Sequence, residues 1–220
     1  MDSIVERQAV LRKEKKNIGT VPSVGDRLDW FSDSVFGQQS FTGPNPVTIK
    51  LASAPWIEKF TQVALLQKNV KAHTILSFEP ADSFYIQDYS YFRDAMGAAG
   101  DAVLVSKDNK RWGCGSVTLF QLSTEGDLHP LAIVLDYTVS IEKSVVIFNQ
   151  RLKSSDPTES EKEDWPWRYA KMCNQVSDWV RHEMAIHLND CHFIEEATIV
   201  AAYRSFPSNH VVYNLLEPHW

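Results

Sequence analysis

The sequence predicts an α+β fold that is mainly α-helical, with one long central helix and a small set of antiparallel strands. The chain has 220 residues, of which 44% are apolar, and a chain of this size and composition buries a core of its own. Apolar residues recur at helical spacing from residue 166 to about residue 203. Two stretches rich in β-forming residues flank a Glu-Gly-Asp turn at residues 125–127, which is typical of a hairpin.

Two regions are expected, an N-terminal arm at residues 1–25 and a main domain at residues 26–220. Residues 4–17 are charged and contain neither Gly nor Pro, so they are interpreted as a solvated helix or a flexible arm. The basic end of this segment is most simply a solvated face, with contact to a membrane surface as the alternative.

Within the main domain, a loop is expected at residues 37–46, which are rich in Gly, Pro and Asn. Residues 53–69 have helical spacing, and residues 73–91 are interpreted as β-rich. The hairpin is expected at residues 116–122 and 131–135, with a further strand at residues 145–149. Polar residues 154–164 then form a linker loop.

The long helix is expected to begin at Pro166, with Asp164 as its N-cap, and to end before Pro207. One face is apolar and is expected to pack in the core. Its members are Ala170, Cys173, Val176, Trp179 and Val180.

Three histidines on this helix, His182, His187 and His192, lie five residues apart. In a regular α-helix a five-residue step turns the chain by about 500°, so successive rings would point about 140° apart. A π-bulge places residues five apart on one side, and we therefore expect one between His187 and His192. Carboxylates four residues away, Glu183 before His187 and Glu196 after His192, are placed to orient metal-binding imidazoles. The alternative is an amphipathic helix with ordinary ion pairs.

Composition narrows the class of protein. The net charge is −6 and there is no basic face, so nucleic acid is not an expected partner. Three cysteines, an odd number without a CxxC pair, favour a reducing compartment over a disulfide framework. The N-terminus lacks the apolar core of a signal peptide, and no apolar run has the length of a membrane span. A cytoplasmic location is the expectation.

Several short motifs follow one another along the main domain. An Asp precedes the histidine run at Asp178, four residues before His182. The other motifs are Phe36-Gly-Gln-Gln39, Gly43-Pro-Asn-Pro46, Asp88-Tyr89, Leu128-His-Pro-Leu-Ala-Ile133, Trp167-Arg-Tyr-Ala-Lys171, Ala202-Tyr-Arg204 and Leu215-Leu-Glu-Pro-His219. These motifs resemble those of the lipoxygenase family, in the same order, and the main domain is accordingly interpreted as a lipoxygenase-like partial catalytic domain.

The resemblance implies that His187 and His192 are ligands of a non-haem iron, that His182 is not, and that Glu183 and Glu196 lie behind the ligands. It implies a polyunsaturated fatty acid or another apolar small molecule as substrate, which the family converts to a hydroperoxide with dioxygen. Asn189 and Asp190, between the ligands, depart from the family's less polar pattern.

The family takes its other ligands from a later helical half, so we expect this chain to be truncated, with iron bound weakly or not at all. Two alternatives remain open: a lipoxygenase-derived scaffold that binds, isomerises or cyclises a polyene without oxygenating it, and an inactive product that needs a complementing chain. Apolar residues expected to be exposed predict self-association; they are Leu188, Phe193, Ile199 and Val200. Cys191 is expected to be a small buried residue.

Overall fold

A computed structural model of the protein describes residues 29–43, 45 and 48–219. The arm expected at residues 1–25, and the helix within it at residues 4–17, lie outside the described residues. The described part is an α+β structure dominated by helices, with a small antiparallel sheet at its centre, as the sequence predicts.

The sheet contains five strands within the described residues, in the order β1-β2-β3-β4-β5, and every neighbouring pair is antiparallel. The strands are β1 Lys50–Leu51, β2 Phe84–Asp88, β3 Val117–Leu122, β4 Leu128–Val134 and β5 Val146–Phe148. The expected hairpin is confirmed as β3 and β4. Its turn contains Gly126 at φ +91°, a left-handed conformation that glycine adopts without strain.

Helices cover both faces of the sheet. The helices are α1 Asp33–Thr42, α2 Ala54–Leu66, α3 Val70–Phe78, α4 Phe92–Ala95, α5 Trp165–Arg181, α6 Ile194–Ser205 and α7 Val211–Leu216. On one face, Phe60 and Ala64 of α2 pack with Ile86 and Leu119 of the sheet. On the other face, Phe36 of α1 and Trp167 of α5 pack with Phe120 and Ile133. Because α5 lies on this second face, its position is set by the sheet.

The loop expected at residues 37–46 is wrong for most of its length, because α1 extends through Thr42. Ser32 caps this helix by accepting a hydrogen bond from the backbone N–H of Val35 at 3.3 Å. Gly37 is there for a packing reason: a Cβ at this position would lie 2.1 Å from the carbonyl oxygen of Leu128. The glycine therefore lets α1 approach β4 closely and is not a helix breaker.

The β-rich stretch expected at residues 73–91 is also wrong at its beginning. Residues 70–78 form α3, capped by Asn69, whose side chain accepts from the backbone N–H of Ala72 at 3.1 Å. The helix packs Ala72 and Leu76 into the core beside α2, and this burial outweighs the weak β-propensity of the segment. Only β2 is extended.

The long helix is confirmed. It runs without interruption through α5, a π-helical segment at His182–Phe193, and α6. Asp164 caps it, accepting from the backbone N–H of Trp167 at 3.1 Å, and Phe206 takes an extended conformation before Pro207. The predicted buried face is right only in part: Ala170 is buried, whereas Val176 is 40% and Trp179 57% exposed. The side chains that α5 buries are Trp167, Ala170, Lys171, Asn174 and Ser177.

Candidate metal centre

The histidine run lies on a π-helix that extends over the whole segment His182–Phe193. The expectation of π geometry between His187 and His192 is confirmed, although a continuous π segment replaces the single bulge. In this geometry a side chain lies above the one five residues earlier, which explains why the three rings form one row. The ring centroids of His182 and His187 are 5.6 Å apart, and those of His187 and His192 are 4.6 Å apart.

The two predicted ligands point their Nε2 atoms at each other, 2.9 Å apart. On the opposite side of its ring, the Nδ1 atom of His187 lies 3.2 Å from Oε2 of Glu183. A carboxylate accepts only, so Nδ1 carries the proton and donates it to Glu183. This leaves the Nε2 lone pair of His187 free to accept from Nε2–H of His192, or to bind a metal.

The spacing of the two Nε2 atoms fits a shared metal. Two imidazole ligands at about 2.1 Å from a metal, at a right angle to each other, have nitrogens about 3.0 Å apart. The rings of His187 and His192 are tilted by 54°. Binding requires only that the proton of His192 move to its Nδ1 atom.

His182 lies closer to the pair than the family resemblance implies. One donor atom from each of His182, Glu183 and His187 lies within 4.8 Å of the other two, and the Nδ1 atom of His182 is buried without a hydrogen-bond partner. However, the rings of His182 and His187 are stacked, with an interplanar angle of 12°. Lone pairs in parallel ring planes do not converge on one point, so the geometry favours His187 with His192.

Glu196 lies on α6 with its side chain exposed. Within the described residues its carboxylate makes no hydrogen bond to His192, in contrast to the contact between Glu183 and His187. The structure thus brings together Glu183, His187 and His192 and leaves Glu196 in solvent.

A hydrogen-bond cluster at the end of α5 holds the helix immediately before the histidine run. The hydroxyl of Tyr89 donates to Oδ1 of Asp178 at 2.5 Å, and Nδ2 of Asn45 donates to the carbonyl oxygen of Asp178 at 2.7 Å. Burial, followed by the hydrogen bond to Asp178, raises the pKa of Tyr89, so this residue stays a donor. Asp178 lies four residues before His182, but its side chain contacts Tyr89 and Asn45.

The middle of α5 is joined to the sheet by polar contacts that sequence reasoning missed. Oδ1 of Asn174 accepts from the hydroxyls of Thr118 at 2.8 Å and Ser116 at 3.2 Å, and its Nδ2 donates to Gln87 at 2.9 Å. Asn174 is 3% exposed, so these bonds satisfy the oxygen and one N–H of a buried amide. Their only signal in the sequence is the polar residues at helical spacing on α5.

The Trp167 and Lys171 positions of the Trp-Arg-Tyr-Ala-Lys motif have a structural role. Nε1 of Trp167 and Nζ of Lys171 both donate to Oδ1 of Asp33, at 2.7 and 2.8 Å. Arg151 donates to the other oxygen of Asp33 at 3.0 Å and also pairs with Glu161. We call these five residues, Asp33, Arg151, Glu161, Trp167 and Lys171, the Asp33 cluster. The side chains of Asp33 and Lys171 are each only 1% exposed. The cluster joins the start of α5 to α1.

The surface around the histidines is apolar and exposed, as expected. Leu188 is 39%, Phe193 55% and Val200 41% exposed, and Ile199 is half-buried. Cys191 is also exposed, so its expected burial is wrong. The π-helical segment turns this residue toward solvent.

Fold and site together define a class: a mainly helical α+β domain in which a helix docked on an antiparallel sheet continues into a π-helix that presents paired imidazoles. A family model described as lipoxygenase matches residues 5–220. A manganese lipoxygenase from Pleurotus sapidus is 49% identical over 207 residues, covering 93% of this chain and 32% of that protein. The chloroplastic lipoxygenase 2.2 of Hordeum vulgare is 28% identical, covering 89% of this chain and 22% of that protein.

Solved structures agree. A fungal lipoxygenase from Fusarium graminearum matches with a TM-score of 0.82 and 40% identity, covering 99% of this chain and 37% of that one. A calcium-dependent 11R-lipoxygenase matches with a TM-score of 0.61 and 27% identity. The chain belongs to the lipoxygenase family.

The chain spans about a third or less of the length of the relatives it matches, 32% of the Pleurotus protein and 22% of the Hordeum protein. None of the helices in the part of the chain that the structure describes is both long and apolar enough to cross a membrane.

Proposed function

We propose that this chain contributes His187 and His192 as two ligands of a lipoxygenase-type metal centre that acts on a polyunsaturated fatty acid. The observation that carries the proposal is the 2.9 Å separation of the two Nε2 atoms on a π-helix. Family membership supports the reaction class, and the relative named as a manganese lipoxygenase supports manganese beside iron as the metal.

Each residue near the pair has a role that follows from its contacts. Glu183 accepts the Nδ1 proton of His187 and so keeps the Nε2 lone pair available. Tyr89 and Asn45 hold Asp178 and thereby fix the helix end from which the histidines follow. Exposed Leu188 and Phe193 offer apolar surface next to the ligands for an acyl chain.

A bound iron or manganese would supply the one-electron chemistry that removes a hydrogen from a bis-allylic carbon before dioxygen adds. Within the described residues the converging pair offers two ligands, whereas non-haem iron sites commonly use two histidines and a carboxylate. The remaining positions fall to water or to donors outside the described residues. Metal binding by this chain alone should therefore be weak.

A reducing compartment, with the cytoplasm as its simplest form, is proposed for the protein. All three cysteines, Cys114, Cys173 and Cys191, are free thiols, which supports this location.

The test is metal binding followed by turnover. Purified protein is dialysed against Mn²⁺ or Fe²⁺ under anaerobic conditions, and bound metal is measured by elemental analysis. His187→Ala and His192→Ala should each lose the metal, while His182→Ala is the matched control and should keep it. Hydroperoxide formation from a 1,4-diene fatty acid is then followed as conjugated-diene absorbance.

Loss of metal in His182→Ala equal to that in His192→Ala would overturn the ligand assignment. Tight one-to-one metal in the monomer would contradict the expected weak site. Conversion of the fatty acid that persists after strong chelation would replace the oxygenase proposal with the metal-independent scaffold.

A further inference from the structure

Two free cysteines that the metal centre does not use lie against each other between the sheet and α5. Cys114 precedes β3, and Cys173 lies on α5, 59 positions later in the chain. The thiol of Cys114 donates to the carbonyl oxygen of Cys173 at 3.2 Å. Both residues are half-buried.

Ser177 holds the backbones of both cysteines. Its hydroxyl donates to the carbonyl oxygen of Cys114 at 2.7 Å and lies 3.2 Å from that of Cys173. The same hydroxyl accepts from the backbone N–H of Ser116 at 3.1 Å. This fully buried serine therefore fixes the distance between the two chain segments that carry the thiols.

Each of the two thiols also shifts the pKa of the other. A hydrogen bond from Cys173 lowers the pKa of Cys114, against the opposing effect of burial, and the bond from Cys114 raises the pKa of Cys173. Ser177 and the Arg93 guanidinium favour the Cys114 thiolate, and Asp136 opposes it. The directions of these two shifts favour ionisation of Cys114 over ionisation of Cys173.

An open groove of about 380 Å³ ends at Gly113, the residue before Cys114. Most of its lining is apolar, including Val105, Trp112 and Val180. The groove gives solvent and apolar molecules access to Gly113, one residue before Cys114.

We propose that Cys114 and Cys173 form a redox pair that reduces an organic hydroperoxide and closes a reversible disulfide. In the first step the Cys114 sulfur attacks the distal peroxide oxygen, the O–O bond breaks, and the alcohol leaves with a proton, which converts Cys114 to a sulfenic acid. In the second step the Cys173 sulfur displaces that hydroxyl as water. The peroxide gains two electrons, and the two thiols lose two electrons and two protons.

The consequence is a covalent tie between the start of β3 and α5, the helix that continues into His187 and His192. The proposal rests on the proposed function only for the source of the oxidant, since a lipoxygenase-type reaction produces a fatty-acid hydroperoxide. The thiol chemistry itself needs no metal.

The experiment counts free thiols in the denatured protein after treatment of the folded, metal-free chain with a fatty-acid hydroperoxide. The count should fall from three to one in the wild type and return to three with a dithiol reductant. Cys191→Ser should fall from two to none, and Cys114→Ser should remain at two. Cys173→Ala should fall from two to one, because Cys114 is still oxidised to a sulfenic acid, which no longer counts as a thiol. Peptide mapping should find Cys114 joined to Cys173.

Three thiols retained in the wild type would overturn the proposal, as would a cross-link between molecules through Cys191. Circular dichroism of each variant establishes that it is folded before thiols are counted. Because the hydroperoxide is added, failure of the metal centre leaves the thiol result unchanged, and a failed thiol test leaves the metal result unchanged.

Discussion

The hydroxyl of Tyr89 lies 2.5 Å from Oδ1 of Asp178, and this contact joins the end of β2 to the last turn of α5 before the histidines. Tyr89 is fully buried, so the hydroxyl has no access to water. The position of the whole histidine row relative to the sheet depends on this bond and on Asn45 beside it.

Tyr89→Phe should lower the free energy of unfolding by about 1.5–3 kcal/mol, because a buried hydrogen bond to a carboxylate is lost. Urea unfolding followed by circular dichroism measures the change. Tyr91→Phe is the matched control, since Tyr91 is 45% exposed and keeps its ring contact with Phe92. An equal loss of unfolding free energy in both variants would show that the hydrogen bond from Tyr89 to Asp178 does not stabilise the fold.

Asp33→Asn should destabilise the protein by about 3–5 kcal/mol, because Lys171 and Arg151 would then be buried cations that have lost a carboxylate. Asp82→Asn, at an exposed position, should change the free energy of unfolding by less than about 0.5 kcal/mol. Thermal and denaturant unfolding of both variants check this. A small effect at Asp33 would mean that the cluster relaxes around the missing charge.

The stability contributed by Asp33 should depend on pH. Burial alone would raise the pKa of Asp33, but Lys171 and the hydrogen bonds to the carboxylate lower it overall. A lowered folded-state pKa means that this stability is present above the unfolded value of about 3.9 and is lost as pH falls through the folded value.

The pH dependence of stability that Glu161 contributes has the opposite sign, because burial raises the pKa of its carboxyl group. Unfolding free energies measured from about pH 7 down to pH 3 should fall less steeply in Asp33→Asn than in the wild type. Identical slopes would contradict the assignment of this acid sensitivity to Asp33.

Glu183→Ala should weaken metal binding roughly 10–100-fold, since the imidazole of His187 loses the carboxylate that fixes its tautomer. Glu196→Ala should leave the affinity unchanged, because Glu196 does not contact His192 within the described residues. Calorimetric titration with Mn²⁺ distinguishes the two. If Glu196→Ala is the more damaging change, the carboxylate behind the ligands has been assigned to the wrong residue.

The exposed apolar side chains near the histidines should cause concentration-dependent self-association. Leu188, Phe193 and Val200 are all exposed on the same continuous helix, and a large exposed apolar surface usually contacts a partner. Sedimentation velocity of wild type and of Leu188→Gln with Val200→Gln should show association only in the wild type. Phe78→Ser is the control, as Phe78 is 83% exposed on a different helix. A monomeric wild type at high concentration would refute this prediction.

Local features were predictable from the sequence because their causes lie within a few residues. The cap at Asp164, Pro166 in the first turn and the stop before Pro207 define the long helix. The turn around Gly126 defines the hairpin, and the five-residue histidine spacing requires π geometry if the rings are to share a side. The expectation that Gly37 lies in a loop was wrong, because this glycine is required by a contact outside its own segment. A Cβ at this position would clash with a carbonyl oxygen on β4.

The family, the long helix, the hairpin and the row of histidines could be predicted from the sequence, since they depend on motif order and on spacing along one element. The packing of sheet and helices was needed to learn which face of α5 is buried, that Asp33 neutralises Lys171, and that Tyr89 binds Asp178. The partners in these two contacts are 138 and 89 positions apart. A buried polar group is stable only with its partner, and the identity of a distant partner is set by how the sheet and helices pack.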